Sequence, residues 1–121
     1  MAARSDVKVA ASRKRAAHPV RKLREDFGLS QAAAARLMDV SLRTLAGWEA
    51  AAPARVLPRA VVGARRLLVA LAEIMQSRQV ATWLEEPNSD LGGLKPLEAV
   101  ERGEVDRLWA LVYRVGSGDA N

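Results

Sequence analysis

The chain has no cysteine and a single histidine, His18. Without thiols there is neither a disulfide staple nor a thiolate metal site, zinc fingers are excluded, and a His-based catalytic triad would have to be built on His18 alone. An intracellular setting is therefore expected. Aromatic residues make up only 4% of the 121 residues although half are hydrophobic. The apolar content is mainly Ala, Leu and Val at helical rather than alternating spacing, which points to an all-α fold. No run approaches the roughly 20 apolar residues that span a bilayer, and Met1 to Lys14 lacks the apolar stretch of a signal peptide. A soluble, cytoplasmic protein with no membrane partner is the expectation.

Acid is scarce at the front of the chain. Up to Arg24, Asp6 alone opposes Arg4, Lys8, Arg13, Lys14, Arg15, Arg21, Lys22 and Arg24, whereas from Glu73 onward acids outnumber bases. A basic front and an acidic back suggest two different partners. Residues 1–17 have no sustained apolar face and read as a flexible basic arm. Pro19 opens a helix that Gly28 ends; Ser30 caps a second, Gln31 to Met38; and after a turn at Asp39-Val40, Ser41 caps a third reaching about Ala50. Pro53 and Pro58 punctuate a linker. Ala64, Leu67, Leu68, Leu71, Ala72 and Met75 then fall on one face of a long helix starting near Arg59. Ser77 restarts a shorter helix through Val80, Trp83 and Leu84, stopped before Pro87. A loop spans Pro87-Asn88 to Gly92-Gly93, Pro96 opens the next helix, Gly103 ends it, and Val105, Leu108, Trp109 and Val112 mark the buried stripe of the last.

Two short serine-capped helices joined by a tight turn make the helix-turn-helix layout. Ala34 and Ala35 are small enough for the two helices to approach closely, while Val40, Leu45 and Trp48 form the buried side and leave Arg43 pointing outward. The order "LSQ", "AxxARLMDVS" and "TLxGWE" resembles the Xre/Cro family of bacterial regulators over about thirty residues. Carried over by position, Ser41 caps the recognition helix, Leu42, Arg43 and Thr44 stand where that family meets DNA, and Gln31 sits where the preceding helix meets phosphate. Arg43 is the best base reader, since arginine makes a bidentate contact with guanine in the major groove. Gly47 occupies a position that often carries a reading side chain and offers none.

The stretch from Trp83-Leu84 through Pro87-Asn88, Leu91-Gly92-Gly93 and Pro96-Leu97 to Gly103-Glu104 resembles the toxin-binding domain of Xre/MbcA/ParS antitoxins. With the helix-turn-helix, the resemblance covers about residues 24 to 116. It implies an antitoxin that neutralises a RES-domain toxin, an enzyme consuming NAD, and that binds double-stranded operator DNA at its own promoter. It further implies a homodimer within a larger hetero-oligomer. Such a toxin needs an electropositive cleft for its doubly phosphorylated substrate, to which Glu101, Glu104, Asp106 and the terminal carboxylate near Asp119 are complementary. The run Gly116, Ser117, Gly118, Asp119, Ala120 and Asn121, with Arg114 just ahead of it, is slim enough to enter that cleft. The organisation so read is an arm at 1–17, a helix-turn-helix region at 18–55 and a helical toxin-binding domain at 56–121.

No residue set here suits catalysis, a metal or a cofactor. Glu85 and Glu86 are adjacent on a helix and do not face one another, and His18, in a basic tail, has no partner in the sequence. A binding protein rather than an enzyme is expected. The alternative is a stand-alone Xre-family repressor whose acidic half only dimerises it; a third class is a scaffold or RNA-associated helical protein. A toxin reading frame beside the gene separates the first reading from the others.

Overall fold

The computed structural model describes residues 18–53 and 55–118; the arm at 1–17 and Asp119, Ala120 and Asn121 lie outside them. Among the described residues there are helices and turns and no strand. In chain order the helices are α1 (Pro19–Asp26), α2 (Gln31–Met38), α3 (Leu42–Ala50), α4 (Arg59–Ala72), α5 (Ser77–Leu84), α6 (Pro96–Glu101) and α7 (Val105–Gly116), with a 3-10 turn at Ser89–Leu91.

The ends follow from side-chain chemistry. Ser30 Oγ accepts from the backbone N–H of Ala33 and Ser41 Oγ from that of Thr44, each satisfying a donor that a helix start leaves free. Gly28 adopts φ +66° after α1, so that Leu29 N–H turns back to the Arg24 carbonyl. Asp39 takes the left-handed position between α2 and α3 at φ 56°, a conformation short polar side chains tolerate. One expectation about a helix start is corrected: His18 is not a partnerless tail residue. It is buried, and its Nδ1 accepts from Val20 N–H at 3.3 Å as the N-cap of α1.

Helix α2 is the centre of the molecule. Ala33, Ala34, Ala35, Leu37 and Met38 are all buried, more than one stripe of a helix, as expected of an element covered on several sides. It packs on α3, α4 and α6, and its alanines let three neighbours crowd it without clashes. Leu45 of α3, Leu67, Leu68 and Leu71 of α4, Val80 and Leu84 of α5, Leu91, Leu97 of α6 and Leu108 of α7 complete one continuous apolar cluster. The regions 18–55 and 56–121 therefore share a core. They are also tied on the surface, where Arg36 of α2 grips Glu101 of α6 through two hydrogen bonds of 3.0 and 2.8 Å.

The apolar stripe of α4 continues to Met75, yet the helix ends at Ala72. The reason is the next helix start: Gln76 is extended (φ −69°, ψ 141°) and its N–H donates to the Gln79 side chain, which opens α5 and forces the chain to unwind first. The Pro87–Lys95 loop is closed by Asn88. Its side chain accepts from Asp90 N–H at 2.9 Å, its N–H donates to the Leu94 carbonyl, and its carbonyl accepts from Gly93 N–H. Gly92 and Gly93 have φ +66° and +87° there, and Leu91 is plugged into the core.

Candidate nucleic-acid interface and C-terminal face

The start of α3 is built for exposure on one side and anchoring on the other. Leu45 is fully buried, and Val40 and Trp48 pack against the core beside it. The opposite side presents Leu42, half exposed, with Arg43 and Thr44 beside it. Ser41 Oγ–H donates to Thr44 Oγ1 at 2.9 Å while Ser41 Oγ accepts from Thr44 N–H. The Thr44 hydroxyl keeps its own proton for an outside acceptor. Among the described residues none pairs with the Arg43 guanidinium, so its donors face solvent. Gly47, one turn on, is exposed with nothing within 4 Å of a β-carbon placed there. The surface is thus flat beyond a short row of Leu42, Arg43 and Thr44.

Gln31 opens α2, and it has a partner at the far end of α3 that the sequence did not reveal. Its Nε2 donates to Glu49 Oε1 at 3.2 Å. Glu49, at the end of α3, is buried and receives Arg24 of α1 in a two-pronged contact, Nε at 2.8 Å and Nη2 at 2.9 Å; Arg21 lies 3.6 Å away. One carboxylate therefore fastens all three helices of the helix-turn-helix. Hydrogen bonding from Arg24 holds its carboxyl below the ordinary carboxylate range, with Gln31 and Arg21 adding to the effect and burial opposing it. The same contact raises the Arg24 guanidinium further above its ordinary value. Glu49 stood in the "TLxGWE" order, but its partners lie 18 and 25 residues away, outside any local period.

The residues expected to meet a protein partner do not form one patch. Glu101 ends α6 and is paired with Arg36; the Arg36 guanidinium holds its carboxyl low. Glu104 precedes α7 and accepts from Arg107 at 2.8 Å, with the exposed Asp106 beside it. Arg114, Gly116, Ser117 and Gly118 lie at the far end of α7, about 15 Å away at 1.5 Å per residue. There Arg114 reaches Asp90 at 3.5 Å, joining the last helix to the Asn88 loop. Among the described residues no group of three His, Cys, Asp or Glu side chains is placed to hold a metal ion.

A helix-turn-helix family model matches residues 20–56. Over 96 residues the chain is 30% identical to the Mycobacterial cidal antitoxin MbcA of Mycobacterium tuberculosis (strain H37Rv), spanning 78% of this chain and 85% of that protein. The chain belongs to the MbcA antitoxin family. MbcA of Mycobacterium bovis matches to the same extent. The fold agrees: a chain in the crystal structure of the M. tuberculosis MbcT–MbcA toxin–antitoxin complex superposes with a TM-score of 0.65 at 30% identity, covering 82% of this chain and 91% of that one. A likeness of 96 residues is longer than the helix-turn-helix span, so MbcA resemblance extends into the C-terminal helices. No described helix is long and apolar enough to cross a membrane.

Proposed function

We propose that this antitoxin acts in the cytoplasm on two partners. It neutralises a RES-domain toxin that consumes NAD, and it binds double-stranded operator DNA at its own promoter as an autorepressor. In this reading it is a homodimer within a larger hetero-oligomer and performs no chemistry itself; the catalysis is the toxin's. The observation that carries the proposal is the union, on one core, of an outward Arg43 row on a Glu49-fastened helix-turn-helix with a C-terminal half of MbcA type.

On the DNA side, Arg43 contacts guanine, Leu42 and Thr44 flank it, Ser41 holds the helix start, and Gln31 offers its second amide proton to phosphate while the first stays on Glu49. On the toxin side, Glu101, Glu104 and Asp106 supply the acidic edge. Arg114 holds the root of a tail, Gly116, Ser117, Gly118, Asp119, Ala120 and Asn121, that enters the toxin's cleft and excludes NAD. The separation of these groups along α7 means edge and tail engage different parts of the toxin.

The test combines co-purification of the chain with the product of the adjacent toxin frame and footprinting of the promoter upstream. A stable complex together with a protected palindrome supports the proposal. A footprint with no toxin complex leaves only the repressor; a complex with no footprint removes the autorepressor.

A further inference from the structure

An open groove of about 890 Å³ lies between α4 and α7. Its rim carries apolar side chains that the chain itself leaves exposed: Val62 at 42%, Val69 at 47% and Tyr113 at 72%. The half-buried Trp109 forms part of its wall, 6.2 Å from the Tyr113 ring. Arg66 and Glu73 line the same groove, both exposed, and among the described residues neither has an ion-pair or hydrogen-bond partner. Val62, Arg66, Val69 and Glu73 recur at i, i+4, i+7 and i+11, one narrow stripe opposite the buried Leu67, Leu68 and Leu71.

The stripe is complementary to itself. In an antiparallel pair of α4 helices related by a two-fold axis between Val69 and Ala70, Arg66 of each copy faces Glu73 of the other, and Val69 packs on Ala70. The geometry points to α4, flanked by Tyr113 and Trp109 of α7, as the surface on which a second copy of this chain docks. The unpaired Arg66 and Glu73 pair across the two-fold, and the exposed valines are covered. This assignment rests on the homodimeric reading above and adds where the two copies meet.

The experiment is sedimentation equilibrium of the full chain and three exposed-residue variants, with helical content checked by circular dichroism. Val69→Asp weakens the dimer about tenfold or more, because the change is repeated at the symmetric contact. Arg66→Glu does the same by setting like charges opposite each other, and Arg66→Glu/Glu73→Arg returns dimerisation to near the original level. A monomeric original chain at tens of micromolar overturns the homodimer itself. A dimer indifferent to Val69→Asp and to Arg66→Glu overturns the surface while leaving the homodimer standing. Variants that remain dimers but no longer co-purify with the toxin give the groove to the toxin and likewise overturn the assignment.

Discussion

Replacing Glu49 by glutamine keeps the shape of the side chain but removes the charge that receives Arg24 at 2.8 and 2.9 Å, Gln31 at 3.2 Å and Arg21 at 3.6 Å. Removing one partner of a buried ion pair costs about 3–5 kcal/mol, because the other charge is left without compensation. Arg24 is not wholly cut off: its side chain is 17% exposed, and Nη1 still donates to the Leu29 carbonyl at 3.2 Å. The low end of the range, about 3 kcal/mol, therefore applies. Against a total stability of about 5–15 kcal/mol this is a large loss, and it lowers the melting temperature by about 10 °C or more. Urea unfolding followed by circular dichroism reads it directly, with an unchanged denaturant slope if only stability moves. Arg24→Met/Glu49→Leu serves as the control, since two apolar side chains remove both charges and recover most of the loss. A Glu49→Gln chain within about 1 kcal/mol of the original refutes the fastening role of the carboxylate.

Acidification gives the same group a second test. Because the folded state holds the Glu49 carboxyl below its ordinary value of 4.5, its contribution is fully present above pH 4.5 and is lost as the pH falls from there through the lower folded value. Glu101, held low by Arg36, acts in the same direction. The unfolding free energy of the original chain thus falls more steeply below pH 4.5 than that of Glu49→Gln, as a pH series of urea titrations measures. For DNA, Arg43→Ala weakens operator binding and relaxes preference at one base pair by about 1–3 kcal/mol, read from isotherms with matched and mismatched duplexes. Deleting residues 1–15, which removes Arg4, Lys8, Arg13, Lys14 and Arg15, lowers affinity for all sequences and flattens the salt dependence. An unchanged salt slope assigns the phosphate contacts to the helices alone.

Local chemistry was legible in the sequence. Ser30 and Ser41 announce two helix starts, Gly28 an end, and the Leu67, Leu68, Leu71 stripe a core face, because each signal spans at most a few turns and needs no distant partner. What was not legible is long-range. His18 shows no helical signal of its own, yet it is buried and caps α1. Arg24 and Glu49 are 25 residues apart and Arg36 and Glu101 are 65 apart, so neither pair leaves a periodic trace. The acidic residues from Glu101 to Asp106 and the described residues Gly116 to Gly118 look like one patch along the chain, and the length of α7 separates them. Cutting the chain near Leu57 removes α2, which packs on α4 and α6, so toxin binding is best measured on the full chain.

On the proposed function, the C-terminal half neutralises a NAD-consuming toxin and the tail after α7 is the part that blocks it. The measurement is NAD loss by the purified toxin titrated with the full chain and with a chain ending at Gly116, with complex formation followed in parallel. The expected result is stoichiometric inhibition by the full chain, and a truncated chain that still binds while NAD loss resumes. Undiminished NAD loss at saturating full chain rules out neutralisation of the toxin, and equal inhibition by the truncated chain rules out the role of the tail.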